Sequence, residues 1–211
     1  MHKYLVELLA RFPQLKICSK DIEKVYEILV ASYMNCGKLL IAGNGGSAAD
    51  AEHICGELMK GFLLKRHIGI KTKEELCSID KELGADIAEK LQMPLPAIPL
   101  TGMDAFSTAY ANDVDEKLTF AQKVFALGGK EDVLLAISTS GNSKNIIEAA
   151  IVAKSKHMKV VSLTGCKDSV LKKYSDATIQ VPEEETYKIQ ELQLPIYHAV
   201  CMALEDLFFS E

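Results

Sequence analysis

Five short runs, apolar almost throughout and separated by stretches of helical periodicity, constrain this chain more than any other feature. They lie at 38–42 (KLLIA), 97–101 (AIPLT), 132–138 (DVLLAIS), 159–164 (KVVSLT) and 177–181 (ATIQV). A strand with one wet face alternates apolar and polar residues, whereas a run apolar on both faces is covered on both. Strands of that kind, regularly interrupted by helices, predict a single α/β domain with a five-stranded parallel sheet between two helical layers and right-handed crossovers. Helices are expected over 48–62, over one or two segments ending at Leu127, over 145–157, and as a long C-terminal helix over 185–209.

Residues 1–36 read as an N-terminal helical arm. Leu5, Leu8, Leu9 and Phe12 recur at helical spacing until Pro13 stops them. Ser19 reads as an N-cap ahead of Ile22, Val25, Tyr26, Leu29 and Tyr33, and Gly37 as the residue that ends the second helix. The rhythm breaks over 63–96, between the first and second strands. There Leu76, Ile79, Leu83, Ile87 and Leu91 fall near helical spacing. That insertion is expected to hold one or two helices, as a surface excursion beside the sheet or as a lid or oligomer contact.

Composition removes several function classes. Lys and Arg total 24 against 29 Asp and Glu, for a net charge of -5. A protein that coats nucleic acid or an anionic membrane needs a basic surface. No apolar run approaches the roughly 18 residues of a membrane span. The opening segment MHKYLVELLARFP, with Glu7 inside its apolar run, is too periodic for a signal peptide. Six cysteines occur, none in CxxC spacing, which excludes a zinc ribbon or a redox motif and leaves reduced thiols in a cytoplasmic protein as the expectation.

Two loops carry the chemistry. Gly43-Asn44-Gly45-Gly46-Ser47-Ala48 sits where the first strand turns into a helix. Its glycines allow positive φ and close approach of a ligand, and the helix start offers free N–H groups and a positive dipole end. The spelling also fits G-x-G-x-x-A, but a dinucleotide site wants an acid about 20 residues on. Here that region reads Phe62-Leu63-Leu64-Lys65-Arg66. The second loop, Ser138-Thr139-Ser140-Gly141-Asn142-Ser143, ends the third strand. Four hydroxyls and a glycine before a helix suit a dianionic phosphate, beyond what capping alone requires. No GxxxxGK[ST] is present, so nucleotide hydrolysis is not implied. Both loops fall at carboxyl ends of strands, where open α/β sheets bind ligands, and together they favour a phosphorylated small molecule.

His53 and Glu57, four apart, share one helix face. Gln190 and His198 lie on the C-terminal helix about 12 Å apart along its axis. One straight helix cannot bring both to one ion. Either Pro195 distorts the helix, or the two residues serve sites built with different subunits. For the second case, Ile189, Leu192, Ile196, Val200 and Leu204 are the apolar residues expected to pack between protomers.

The segments GNGGSAADAEH, ISTSGNS, AYANDV and IQELQLPIYH closely resemble the sugar isomerase (SIS) domain family, and within it the branch acting on heptose phosphates. The resemblance spans nearly the whole chain outside 63–96. It implies ketose–aldose isomerisation of sedoheptulose 7-phosphate through an enediol. It places substrate contacts on Asn44, Gly45, Gly46, Ser47, Glu57, Asn112, Asp113, Ser138, Thr139, Ser140, Ser143 and Gln190. It implies one zinc per subunit on His53, Glu57, Gln190 and His198, and an acid–base pair of Glu57 and His198. It also implies a homotetramer with sites at subunit interfaces, and no nucleic-acid or membrane partner.

The family arginine shortly after the zinc-ligand glutamate is missing from Glu57-Leu58-Met59-Lys60-Gly61, leaving Lys60, Lys65 or Arg66 as substitutes, and Tyr187 stands where some members carry aspartate. The alternatives are an isomerase of another ketose phosphate, or a non-catalytic SIS protein that binds a replication initiator or senses a sugar phosphate. The presence of all four of His53, Glu57, Gln190 and His198 favours the enzyme.

Overall fold

A computed structural model describes residues 1–210. Strands β1 (Leu39–Ala42), β2 (Ala97–Pro99), β3 (Val133–Ile137), β4 (Lys159–Thr164) and β5 (Ala177–Gln180) form one parallel sheet in the order β2-β1-β3-β4-β5. Leu39 stands opposite Ala97 on one side and Val133 on the other, so β1 and β3 flank the point where strand order reverses. Each strand lies at an apolar run read from the sequence, β4 with the same bounds and the other four shorter by one or two residues.

The pleat sends alternate residues to opposite faces. Leu39, Ile41, Val133, Leu135, Ile137, Val161, Leu163 and Ile179 pack with helices α1 (Lys3–Arg11), α2 (Ser19–Met34), α3 (Gly46–Met59) and the C-terminal α9 (Thr186–Phe209). Leu40, Ala42, Leu134, Ala136 and Val160 pack on the other face with α7 (Thr119–Leu127) and α8 (Lys144–Ser155). The alanines Ala149, Ala150 and Ala153 let α8 lie close to the sheet. No helix among the described residues is long and apolar enough to cross a membrane.

Three local expectations are corrected. Ser19 is the first helical residue of α2 rather than its cap, because a 3₁₀ turn over Pro13–Cys18 leads straight into the helix. The helix expected over 48–62 is α3, which starts at Gly46 and stops at Met59. Lys60 turns extended, and the Phe62 and Leu63 amides donate to Glu205 instead of a helical carbonyl. On α9, Ile189, Leu192, Ile196, Val200 and Leu204 are buried against the chain's own core and are not free to pack between protomers.

The insertion holds two helices, α4 (Ile70–Ile79) and α5 (Lys81–Lys90), closed at its base by a bridge between His67 and Gln92. Asp80 caps α5 through the amides of Glu82 and Leu83. Gly84 lets the two helices touch, since a Cβ there would strike the Leu76 carbonyl. Ile79, Leu83, Ile87 and Leu91 are exposed on this hairpin. Their helical spacing therefore marks an outward stripe.

Candidate functional site

The two glycine- and hydroxyl-bearing loops meet at the switch point between β1 and β3, the position at which doubly wound sheets bind ligands. Gly45 adopts φ +54° and ψ -119°, a conformation closed to ordinary side chains. A Cβ at Gly46 would run into the Gln190 amide, so α9 seats Gln190 against the first turn of α3. Gly141 also has positive φ, +65°. The first loop is tied to the first turn of α8 by a reciprocal pair: Asn44 Nδ2 donates to Asn145 Oδ1 at 3.0 Å, and Asn145 Nδ2 to Asn44 Oδ1 at 2.9 Å.

In the second loop, Ser138 Oγ accepts from the Gly141 amide at 3.1 Å and lies 3.1 Å from Ser143 Oγ. Ser140 Oγ accepts from the Asn142 amide. Ser143 is the N-cap of α8, yet its side chain makes no capping bond. Thr139 and Ser140 line a pocket of about 120 Å³ whose wall also includes Lys167, Thr186 and the carboxylates Glu183 and Glu184, with Lys167 Nζ 3.3 Å from Glu184 Oε2. The hydroxyls of Thr139, Ser140 and Ser143, none of them buried, and the starts of α3 and α8 converge on one end of the sheet, an arrangement that suits an anion.

The titratable residues form a second centre. His53 Nε2 lies 3.3 Å from Glu57 Oε1 and 3.4 Å from His198 Nε2, with α3 supplying the first two residues and α9 the third. Lys60 Nζ is 3.4 Å from the other Glu57 oxygen. No direct contact joins Glu57 to His198, and no three His, Cys, Asp or Glu donors among the described residues enclose a ready-made metal centre. Burial, and then the neighbouring His53, hold the His198 imidazole below its usual pKa, with Glu57 opposing. His198 opens onto a cleft of about 290 Å³ between α1 and α9, walled by Tyr4, Arg11, Phe62 and Met202.

Gln190 does not join this group. Helix α9 runs unbroken through Pro195, so Gln190 touches α3 at Gly46 while His198 meets it at His53, about two turns further along. Asn112 and Asp113 sit on an exposed π-helical turn, Ala111–Asp115, where Asn112 Nδ2 donates to Asp113 Oδ1 at 2.9 Å. No hydrogen bond links either to the two loops among the described residues.

Arg66 is no substitute for the missing family arginine at the site. Its side chain is fully buried, with Nε donating to Glu205 Oε1 at 2.8 Å, Nη1 to the Leu58 carbonyl at 2.6 Å and Nη2 to the Glu57 carbonyl at 3.1 Å. Of the candidates, Lys60 is the one beside Glu57.

Sequence reasoning missed four residues that build these centres. Lys123 is buried, its pKa held down by desolvation, and donates to the Leu100 and Gly102 carbonyls and to Ser107, fixing helix α6 (Asp104–Tyr110), which leads to Asn112. Glu205 anchors Arg66. Tyr197 and Asp50 contact His53. Asp50 precedes His53 by three residues on one helix face, and Glu205 is a charge among apolar neighbours of α9. Those spacings were the available signals.

Such a fold, with glycine- and serine-rich loops at the switch point and titratable side chains on the helices behind them, defines an SIS-type sugar-phosphate domain, and the SIS domain family model matches residues 107–203. A phosphoheptose isomerase of Burkholderia pseudomallei is 37% identical over 190 residues, covering 90% of this chain and 83% of that one. One from Helicobacter pylori is 36% identical over 206 residues, covering 96% and 94%. Among solved structures, phosphoheptose isomerase GmhA from Neisseria gonorrhoeae superposes with a TM-score of 0.72 at 32% identity, covering 94% of each chain. A phosphoheptose isomerase from Francisella tularensis gives 0.75 at 32%, covering 93% and 91%. The chain belongs to the phosphoheptose isomerase family.

Proposed function

We propose that this chain is a zinc-dependent isomerase that interconverts sedoheptulose 7-phosphate and D-glycero-D-manno-heptose 7-phosphate, acting as a cytoplasmic homotetramer. The observation that carries the reading is the convergence of Glu57 and His198 on His53 Nε2 at 3.3 and 3.4 Å from two different helices. Six free thiols agree with a reducing compartment.

The donor set fits zinc. Zinc–nitrogen and zinc–carboxylate bonds of about 2.0–2.1 Å place neighbouring ligands of a tetrahedron about 3.3 Å apart. Two of the three separations, His53 to Glu57 and His53 to His198, are close to that edge, whereas Glu57 and His198 do not meet, and two imidazoles with a carboxylate are ordinary zinc donors. His53, Glu57 and His198 would hold the ion. Gln190, seated against Gly46, would reach it from a neighbouring copy of the chain. When bound, zinc supplies Lewis acidity to the substrate carbonyl.

The remaining work falls to protein groups. The second loop holds the phosphate through Ser138, Thr139, Ser140 and Ser143, and Asn44 to Ser47 line the adjoining wall, so remote binding energy positions the reacting carbons. Asn112 and Asp113, beyond the loops, would contact the sugar hydroxyls. Glu57 takes the proton leaving C1 as the electron pair shifts toward the C2 oxygen, forming the enediol. His198 delivers a proton to C2. In total one proton leaves C1 and one leaves the O1 hydroxyl, while one arrives at C2 and one at the C2 oxygen. Ligand and acid–base roles compete at Glu57 and His198, since a metal-bound carboxylate is a weaker base and a metal-bound imidazole nitrogen carries no proton.

The test is turnover. Protein stripped by chelator is incubated with sedoheptulose 7-phosphate, with and without zinc, beside other ketose phosphates. The expected outcome is aldose formation restored by zinc and fastest with the heptulose. Folded, zinc-loaded protein without turnover on it overturns the reading.

A further inference from the structure

Helix α3 presents Asp50, His53 and Glu57 on one face, and α9 sets Tyr197 beside His198. Tyr197 is buried, at 4% exposure, with its ring edge-on to His53 at 5.5 Å between centroids and 77° between planes. Its hydroxyl lies 3.0 Å from His53 Nδ1 and 3.2 Å from Asp50 Oδ1. Asp50 Oδ2 is buried without a partner, so Tyr197 is the carboxyl's one hydrogen-bonding neighbour among the described residues.

The Tyr197 hydroxyl donates to Asp50 Oδ1; a phenol carries a single proton, and the ionised Asp50 carboxylate, although burial raises its pKa, can only accept. The Tyr197 proton therefore goes to Asp50, and the Tyr197 oxygen is left to accept from His53. His53 must then carry its hydrogen on Nδ1. A neutral imidazole protonated on Nδ1 exposes a bare lone pair at Nε2. That lone pair faces the Glu57 carboxylate at 3.3 Å, two acceptors that a cation between them would satisfy, while His198 Nε2 at 3.4 Å donates or accepts according to its own tautomer.

We propose that Tyr197 and Asp50 are positioning residues that lock the His53 tautomer, Nδ1–H with Nε2 free, and thereby prepare His53 as a metal ligand. The metal half of this inference rests on the isomerase reading above, whereas the tautomer half stands on the hydrogen-bond chain alone. Outer partners of this kind orient ligating histidines, and their removal typically costs 10–100-fold in metal affinity.

The experiment uses the full-length protein and two readouts besides activity. Long-range 1H–15N spectra of the metal-free protein report which His53 nitrogen bears hydrogen. Competition with a chromophoric chelator reports the zinc Kd of wild type and of Tyr197→Phe. The expected result is the Nδ1–H form in wild type, a shift toward the Nε2–H form in Tyr197→Phe, and a zinc Kd raised about 10–100-fold in the variant. A wild type in the Nε2–H form overturns the proposal, and needs no variant to fold. So does a folded Tyr197→Phe protein that keeps both the wild-type tautomer and the wild-type zinc Kd. A wild type with the Nδ1–H form that binds no zinc overturns the metal reading while leaving the tautomer lock standing.

Discussion

Replacing Glu205 by alanine is the perturbation whose cost the structure defines best. Glu205 is 1% exposed and holds four donors: the Phe62 amide at 2.7 Å and Arg66 Nε at 2.8 Å on one oxygen, the Leu63 amide at 2.6 Å and the Leu64 amide at 3.3 Å on the other. Arg66 is equally buried, passes its remaining donors to the Leu58 and Glu57 carbonyls, and lies 4.7 Å from the Phe209 ring centroid. Removing the carboxylate strands a buried guanidinium, a change that costs about 3–5 kcal/mol, and orphans backbone amides besides. For a chain of this size each kcal/mol moves the melting temperature by about 2–4 °C, so Glu205→Ala should melt about 6–20 °C lower. Scanning calorimetry under reversible conditions measures it. The same clamp joins the ends of the helices that carry Glu57 and His198, so activity should fall with it. A loss under about 1 kcal/mol would show that the pair is dispensable and that this end of α3 is held by something else.

Acid stability should depend on the same residue. Burial alone would raise the Glu205 pKa, but the Phe62 and Leu63 amides and Arg66 together hold it below the ordinary 4.5, so its stabilisation is present above that pH and is lost as pH falls through the lower folded value. Urea midpoints should drop on acidification below about pH 4.5, with a flatter acid limb in Glu205→Gln, and identical limbs would remove Glu205 from the explanation. Changing Ser140 and Ser143 together to alanine should raise KM strongly with little movement of the melting temperature, since neither hydroxyl caps α8; a collapse in stability at unchanged KM would make them structural. Mixed Glu57→Gln and His198→Ala proteins should stay inactive after proven subunit exchange if one chain supplies both residues to a site, as their shared neighbour His53 indicates. Regained activity would place them in different chains.

The sheet was legible because burial on both faces leaves continuous apolar runs, and the loops were legible because positive φ at Gly45 and Gly141 and a cluster of hydroxyls leave few other residue choices. The His53–Glu57 spacing and the impossibility of Gln190 and His198 sharing an ion on one helix followed from helical geometry alone. What periodicity could not supply was direction. Leu83 and Ile87 repeat like core residues and point outward, while Ile196 and Val200 looked available for a partner and point inward. Tertiary contacts between charges were hidden for a related reason: Arg66 and Glu205 are 139 positions apart, and nothing local marks either as the other's partner.

Proton transfer between carbons is the central chemical claim, and running the reaction in D2O tests it most directly. Sedoheptulose 7-phosphate is converted by the zinc-loaded protein in D2O, and the aldose is read by NMR at C2. With Glu57 removing one proton and His198 supplying another, the product should carry deuterium at C2, and Glu57→Gln should abolish both conversion and label. Conversion with full retention of protium at every carbon would contradict the separate proton-removing and proton-supplying roles given to Glu57 and His198.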